Sequence, residues 1–173
     1  MPGVEVAIAK PHEQAALASM MQLYIHDFSE FWAGRSEGEL GEDGRFPDYP
    51  LEAYWREPDR VPLIIRVDGR LAGFALLNRV SHAGGAIDRN MAEFFVVRKH
   101  RRGGVGSAAA RMIFSSYPGV WEVAVARRNL AALAFWRRVI TEHPQACGVE
   151  QLDLTSEAWN GPLFRFEIAV EGG

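Results

Sequence analysis

Residues 91–113 read MAEFFVVRKHRRGGVGSAAARMI, and this stretch decides the fold. Its apolar start, 91–97, predicts a buried strand, and a basic turn with three glycines follows. Apolar residues then recur with the spacing of one helix face, at Val105, Ala108, Ala109, Met112 and Ile113. The segment therefore predicts a strand, a turn and a helix that packs on a sheet.

The turn has the features of a phosphate site. Glycines let the backbone approach a ligand, the first N–H groups of a helix lack partners, and arginines add positive charge. A pyrophosphate fits this description, whereas the ordinary alternative is a glycine-bearing turn with a solvated basic rim. The residues of the predicted site are Arg101, Arg102, Gly103, Gly104, Val105, Gly106 and Ser107.

Residues 104–109 also satisfy the loose dinucleotide pattern G-x-G-x-x-G/A. The context disfavours that interpretation, because five basic residues separate the strand from the glycines. In addition, Glu122, the only acid of the next predicted strand, lies at the beginning of that strand rather than at its end. A P-loop is excluded since no Lys-Ser/Thr pair follows the last glycine. A nicotinamide-dependent oxidoreductase is the least favoured alternative.

Composition favours one domain over residues 1–173. A chain of 173 residues with 48% hydrophobic residues is long enough for one sizeable core. The net charge of -3 argues against broad binding to nucleic acid or to an acidic membrane. The single cysteine, Cys147, leaves no internal disulfide or cysteine-cluster metal site, and we expect no metal. Together with the lack of a signal-peptide pattern or a membrane-length apolar run, this predicts a cytoplasmic protein.

Alternation and turn residues predict the remaining elements. Asp68-Gly69 favours a hairpin turn, so the sheet is expected to be at least partly antiparallel. Helical periodicity lapses over 27–59, which predicts a loop-rich region. The other predicted elements are a strand over 4–9, a helix from Pro11, hairpin strands over 63–67 and 70–77, a strand over 121–126, a helix after Asn129, and closing strands over 149–154 and 163–170.

Three motifs in register resemble the GNAT superfamily of acyl-coenzyme A N-acyltransferases. Residues 101–106, RRGGVG, match Arg/Gln-x-x-Gly-x-Gly/Ala; residues 92–97, AEFFVV, look like the central strand of the family; and residues 129–136, NLAALAFW, look like its Asn-x-x-Ala-x-x-Phe-Tyr helix. The resemblance implies an α/β (α+β) fold. Its central sheet is mixed and mostly antiparallel, with about seven strands flanked by about four helices.

The resemblance also implies a reaction, in which an amine attacks the thioester of acetyl-coenzyme A directly. The acceptor is a small-molecule or amino-terminal amine, and a homodimer is an open possibility. An alkylamine with a pKa near ~10.4 is almost fully protonated at neutral pH, so a proton acceptor helps. Glu93 occupies the position of the glutamate that takes this proton in many members. Its ordinary alternative is an acid that faces solvent or pairs with an arginine.

Further coenzyme contacts follow from the resemblance. Family members separate two strands near the positions of Val96 and Val97, which frees backbone groups for the pantetheine arm and the thioester. Asn129 is expected to bond a pantetheine amide, although an N-cap role also explains it. Trp136 stands where many members carry a tyrosine that protonates the thiolate, and an indole cannot titrate in this range. Trp136 then packs against pantetheine or fills the core.

The departure at Trp136 keeps a second function open, namely a catalytically weak or silent acyl-coenzyme A binding module that acts as a sensor or scaffold. The region 27–59 carries ten acids against three arginines and is rich in aromatic residues. This composition favours a pocket that attracts a cationic amine, or else a solvated acidic loop.

Overall fold

The computed structural model describes residues 3–32 and 34–172. Three short 3₁₀ segments, Pro11–Glu13, Glu30–Trp32 and Arg98–His100, accompany the regular elements. The helices are α1 (Gln14–Ser29), α2 (Glu52–Arg56), α3 (Val105–Ser116) and α4 (Leu130–Thr141). The strands are β1 (Val4–Ile8), β2 (Val61–Val67), β3 (Arg70–Asn78), β4 (Arg89–Val96), β5 (Gly119–Ala124), β6 (Ala146–Thr155) and β7 (Asn160–Ile168).

All seven strands form one sheet in the order β1-β2-β3-β4-β5-β7-β6. Every neighbouring pair is antiparallel except β4 and β5, which are parallel and are joined by the crossover through α3. The predicted mixed, mostly antiparallel sheet with four helices is therefore confirmed. Within the described ranges, we find no helix with the length and apolar character needed to cross a membrane.

Local predictions are confirmed in part. Asp68 and Gly69 have φ angles of 50° and 77°, as a type I′ hairpin turn requires. The loop-rich prediction for 27–59 was wrong at both ends, because α1 continues to Ser29 and the short α2 forms before β2. Met112 is 40% exposed rather than buried, because α3 turns Ala110 and Phe114 toward the sheet and so rotates its buried stripe.

The helices cover opposite faces of the sheet. On one face, α1 and α2 pack through Leu17, Met21 and Tyr54 against Phe74 and Leu76 of β3. On the other face, Phe114 of α3 lies at the centre of an aromatic core. Its ring centroid is 4.9 Å from that of Trp121 and 5.2 Å from that of Phe166, with edge-on packing. The sheet thus separates the core beneath α1 and α2 from the core beneath α3 and α4.

A buried carboxylate fixes the connection between β3 and β4. Glu122 of β5 is 0% exposed, and it accepts hydrogen bonds from the Ser81 hydroxyl at 2.6 Å and from the amides of His82 and Ala83 at 2.9 and 3.1 Å. Arg165 of β7 donates to two further carbonyls of the same loop, at 3.2 and 3.4 Å. The loop is therefore held against β5 and β7 on the α1 face.

We predict that Glu122→Ala lowers the free energy of unfolding by about 2–4 kcal/mol, because three donors lose one buried acceptor. Urea denaturation at neutral pH measures this loss. Glu167→Ala, at an exposed position of β7, is the matched control and is expected to change stability by less than about 0.5 kcal/mol. Equal effects of the two substitutions would contradict an anchoring role of Glu122.

Candidate active site

The site begins where β4 and β5 separate. The two strands pair only at Arg89 with Trp121 and at Asn90 with Glu122. Beyond these pairs β5 follows β7 as far as Ala124, while β4 follows β3. A gap therefore opens in the middle of the sheet, as the resemblance implied near Val96 and Val97.

Backbone alternation decides which groups of β4 face the gap. The Val97 N–H donates to the Ala72 carbonyl at 2.8 Å, and the Val97 carbonyl accepts from the His100 N–H at 2.9 Å. Successive peptide groups of a strand point to opposite sides, so the groups of Val96 point away from β3 and toward the gap. The carbonyl of Val96 accepts from Arg101 Nε at 2.7 Å, which leaves its N–H facing the gap. The backbone groups of Val97 are already used within the protein, in contrast to the expectation.

A bulge in β4 determines the direction of Glu93. Leu76 pairs with Glu93 but Leu77 pairs with Met91, so Ala92 is an extra residue without a partner on β3. Met91 therefore packs into the α3 and α4 face, whereas Glu93 lies on the opposite face beside α1. Without the bulge, Met91 and Glu93 would share one face.

Tyrosine side chains surround the carboxylate of Glu93. The Tyr49 hydroxyl donates to Glu93 Oε1 at 3.2 Å, and Tyr24 of α1 lies near enough to affect the pKa of the carboxyl. Burial raises the pKa of Glu93 to about 7, against the opposing effect of these two hydroxyls. Burial and the charge of Glu93 also raise the pKa of both tyrosines, so their hydroxyls remain donors at neutral pH. A carboxylate with a pKa near neutrality is suited to accepting a proton.

A second group of polar side chains lies on the same face. Asn78 Nδ2 lies 3.5 Å from the Tyr54 hydroxyl, and Asn90 Nδ2 donates to Asn78 Oδ1 at 3.0 Å. The sequence analysis predicted no contact of Tyr24 or Tyr49 with Glu93. The contacts of both with Glu93 depend on the packing of α1 and of residues 45–56 over β4, for which no local pattern exists.

The predicted phosphate turn is open and rich in amides. Gly104 precedes α3 with φ 83° and contributes no side-chain cap, and the first turn of α3 contains no acid. The amide of Ala108 bonds the Gly104 carbonyl at 3.0 Å, so the N–H groups of Val105, Gly106 and Ser107 lie before the first helical bond. A Cβ atom at Gly103 or Gly104 would meet no atom within 4 Å. The turn therefore leaves open space beside Gly103 and Gly104, next to amides that suit an anion.

The two arginines of the turn have different environments. Arg101 is held by Val96 and by Asp27 of α1, and its guanidinium lies 5.5 Å from the centroid of the Phe95 ring. Asp27 also bonds Arg98 at 2.9 Å. Burial works to raise the pKa of Asp27, but the hydrogen bonds from Arg101 and Arg98 outweigh it and hold that pKa below its ordinary value. Arg101 thus fixes the turn to α1, whereas Arg102 is exposed with φ 63°.

A cation that sequence reasoning missed lies beside the same turn. Arg138 of α4 reaches within 3.5 Å of the Ser107 hydroxyl in the first turn of α3. A cation near a helix N-terminus is unfavourable unless an anion is present. Only the packing of α4 against α3 brings Arg138 there, so no sequence motif indicated it.

Asn129 and Trp136 lie at the start and middle of α4. Asn129 Oδ1 accepts from the Ala132 N–H at 3.1 Å, which confirms the N-cap. Trp136 is 7% exposed, and its ring centroid lies 5.0 Å from that of Phe94 and 4.9 Å from that of Phe135. Phe135 in turn limits the space at Gly106, where a Cβ would lie 3.4 Å from its ring. This part of α4 therefore packs directly behind β4 and the start of α3.

No cluster of three or more His, Cys, Asp or Glu side chains suited to a metal occurs in residues 3–32 and 34–172. The arrangement combines an open turn lined by backbone amides, a gap with a backbone donor that faces it, and a carboxyl group with a pKa near neutrality. It can hold a phosphate-bearing ligand along β4 and accept a proton on the α1 face.

Comparisons with known proteins agree with this geometry. Residues 17–140 match the acetyltransferase (GNAT) family. No curated protein sequence matches the chain significantly. Among solved structures, an acetyltransferase from Thermus thermophilus is similar with 14% identity, 95% of each chain covered and a TM-score of 0.59.

Two further solved structures with this fold are enzymes whose names state an acceptor. The ribosomal-protein-S18-alanine N-acetyltransferase from Escherichia coli has 10% identity, with 98% of this chain and 97% of that chain covered and a TM-score of 0.57. A mutant of the spermidine N-acetyltransferase from Vibrio cholerae has 6% identity, with 95% and 92% covered and a TM-score of 0.57. At these identities, the similarity establishes the fold alone.

The environment of Glu93 gives a prediction that does not depend on activity. An acid with a pKa of 4.5 when unfolded and about 7 when folded binds more protons in the folded state between these values. Stability contributed by the protonated form is therefore lost as the pH rises through this window. We expect Glu93→Gln to match the wild type near pH 4.5 and to exceed it by up to about 3 kcal/mol at pH 8.

Urea denaturation of both proteins at several pH values measures this difference. The exposed Glu157→Gln is the control, and its stability relative to wild type is expected to stay constant over the same range. A difference between wild type and Glu93→Gln that does not change with pH would contradict the raised pKa.

Proposed function

We propose that this chain, which belongs to the GNAT acetyltransferase family, transfers an acetyl group from acetyl-coenzyme A to an amine by direct attack on the thioester. One observation carries the proposal. Where β4 leaves β5, the strand presents a free backbone donor in the gap, the uncapped start of α3 at its end, and Glu93 on its α1 face. Donor and acceptor sites would thus meet at a single strand.

The coenzyme would be held mainly by the backbone. The amides of residues 103–107 suit the pyrophosphate, and Arg102 and Arg138 supply positive charge for phosphate oxygens. The N–H of Val96 suits the pantetheine arm or the developing oxyanion, because a fixed donor needs no reorganisation. Asn129 and Trp136 are assigned to the pantetheine side, as the family resemblance implies.

Glu93 would accept the proton that the amine must lose. With a pKa of about 7 it is ionised to a useful extent at neutral pH, and Tyr24 and Tyr49 hold it in place. The coenzyme thiol has a pKa of about 8.5 and leaves tolerably as a thiolate. Transfer therefore does not require a titrating acid at Trp136, although the lack of one should slow turnover.

The acceptor is proposed to be a small-molecule or amino-terminal amine. Solved structures with this fold include enzymes named for spermidine and for the alanine of a ribosomal protein, so the fold accommodates both kinds of acceptor. The cytoplasmic location, the single domain and the lack of nucleic-acid or membrane binding remain predictions from the sequence, and a homodimer remains an open possibility.

The burial of Trp136 favours one alternative, a binding module that holds acyl-coenzyme A without transferring it. Release of free thiol with an amine panel separates the two functions, provided that a thermal shift shows coenzyme binding independently. The oxidoreductase alternative does not agree with the sheet, since a dinucleotide fold needs consecutive parallel strands and only β4 and β5 are parallel here.

The proposed base predicts the pH dependence of thiol release. With one saturating amine, kcat should rise with pH around a midpoint near 7, as Glu93 loses its proton. Glu93→Gln should lose this limb and lower kcat by about 10²-fold or more at neutral pH, with unchanged coenzyme affinity. Tyr49→Phe removes a donor to the ionised carboxylate, so its midpoint should move to higher pH.

Tyr117→Phe is the control, because this tyrosine lies beside Arg89 at the other end of β4. The same kcat in Glu93→Gln as in wild type would remove the base assignment. A uniform loss in Tyr49→Phe, without a shift of the midpoint, would show that Tyr49 only supports the fold.

The open turn predicts that a larger side chain at Gly103 weakens coenzyme binding. Gly103→Val adds a side chain in free space, and the φ angle of Gly103 lies outside the range that disfavours side chains. We therefore expect little change in Tm and a loss of coenzyme affinity of about tenfold or more, measured by calorimetry. Gly104→Val is less informative, since φ 83° strains any side chain there.

Gly172→Val is the matched control for Gly103→Val, because a Cβ at Gly172 also meets nothing within 4 Å. Residue 172 follows β7, whose end pairs with the start of β5, far from the turn along the sheet. Unchanged affinity in Gly103→Val would locate the pyrophosphate elsewhere.

A further inference from the structure

A pocket of about 320 Å³ lies at the start of β4, at the end of the strand opposite to the gap. Its volume is near the lower limit of small-molecule sites. The lining comes from the segment before β2, the connection between β3 and β4, the start of β4 and the end of α3, namely Asp59, Arg79, Asp88, Arg89, Ser116, Tyr117 and Pro118. These residues are different from those assigned to the coenzyme and to the proton acceptor, so the pocket is a separate site.

Arg89 differs from the other arginines of similar burial. Three further arginines of the described residues are half-buried, and each lies 2.7 to 3.9 Å from a carboxylate, namely Arg60, Arg66 and Arg165. The guanidinium of Arg89 forms no ion pair with a described residue, and it lies 5.1 Å from the centroid of the Tyr117 ring. A cation that is partly removed from water without an opposite charge is unfavourable. Arg89 is therefore suited to a bound carboxylate.

Asp88 supplies a negative charge that the fold holds in place. Its Oδ2 atom accepts from the Val120 N–H at 2.7 Å, and its own N–H donates to the Val120 carbonyl at 2.9 Å. Gly119 allows this approach, because a Cβ there would lie 2.5 Å from the same carboxylate oxygen. Within the described ranges, Asp88 pairs with no arginine, lysine or histidine, so its charge is suited to a bound cation.

The other two charges of the pocket compensate each other. Arg79 lies 3.5 Å from Asp59, and both side chains are at least half exposed. The charges of Arg89 and Asp88 are therefore the ones that no ion pair neutralises among the described residues of the lining. A simple anion is attracted by Arg89 but repelled by Asp88, and a simple cation experiences the reverse. A ligand that carries both charges is attracted by both residues.

The pocket is formed by the fold without a ligand. Trp121 Nε1 donates to the Tyr117 carbonyl at 2.8 Å, and Trp121 also pairs with Arg89 across the two parallel strands. One buried tryptophan thus holds both the ring beside the guanidinium and the backbone of Arg89. Groups that are ordered before binding lose less conformational entropy when a ligand binds.

We propose that this pocket binds a free α-amino acid, with the carboxylate of the ligand at Arg89 and its ammonium group at Asp88. A guanidinium binds a carboxylate through two parallel hydrogen bonds, and such charge-assisted bonds are about twice as strong as neutral ones. Because Asp88 and Arg89 are consecutive residues that line one small pocket, the two charges of the ligand have to be close together, as they are in an α-amino acid. The site is independent of the proposed acetyl transfer.

A thermal-shift screen of the proteinogenic L-amino acids, followed by calorimetry with the one that raises Tm most, tests the ligand class. The matched probes are the amine that lacks the carboxylate of this amino acid and the acid that lacks its amino group. We expect the amino acid to bind about tenfold or more tightly than either probe, because each probe meets one attractive and one repulsive charge. Equal affinity for either probe, or no rise in Tm with any amino acid, would overturn the proposal.

Variants of the two charged residues test the location. Arg89→Met keeps an unbranched side chain beside the Tyr117 ring, and Asp88→Asn keeps an acceptor for the Val120 N–H, so each mainly removes a charge. Each should weaken binding of the amino acid about tenfold or more. Arg70→Met, at an exposed position of β3 outside the pocket, is the control and should bind as the wild type does. Wild-type affinity in Asp88→Asn would refute the site, even if Arg89→Met does not fold.

Glu93→Gln separates this pocket from the proposed reaction, since an amino acid also carries an amine. Calorimetry with the amino acid should give the same affinity in Glu93→Gln as in the wild type, whether or not thiol is released. Binding that is lost in Glu93→Gln but kept in Arg89→Met would locate the amino acid at the reacting carboxyl and overturn the assignment of the pocket.

Discussion

The early end of pairing between β4 and β5 is the constraint on which the site depends. Unpaired backbone groups inside a sheet are costly when they stay dry, so most sheets close such gaps. Here β5 is held by β7 and β4 by β3, and Gly73 lets β3 approach so closely that a Cβ would overlap the Phe95 carbonyl. Each of the two strands forms its backbone hydrogen bonds with the strand on its other side. The backbone edges that face the gap are left for water or a ligand.

The single extra residue in β4 gives the open edge its chemistry. Ala92 shifts the register so that Glu93 lies beneath α1 rather than among the residues that pack on α3. Burial there raises the pKa of the carboxyl to about 7, which means that folding works against its ionised form. Such a group lowers stability at neutral pH, which is the kind of cost that a residue kept for function carries.

The sequence was sufficient for the fold but only for part of the site. Some signals act locally, and the structure confirms them. The hairpin turn lies at Asp68-Gly69, the helix α3 begins without a side-chain cap after Gly104, and Asn129 caps α4. The bulge at Ala92, the tyrosines around Glu93 and Arg138 near Ser107 depend on register and on packing between distant segments. Arg101 is an example of a prediction that packing changes. Its motif predicts a cation that is free to bind phosphate, but Asp27 of α1 forms an ion pair with it.

The last turns of α1 connect the two halves of the site. Tyr24 and Asp27 are three residues apart and so lie on the same side of the helix. Tyr24 lies near the carboxyl of Glu93 and affects its pKa. Asp27 holds Arg101, which bonds the Val96 carbonyl at the edge of the gap. One helix thus helps to position both the Glu93 carboxyl and the backbone at the edge of the gap.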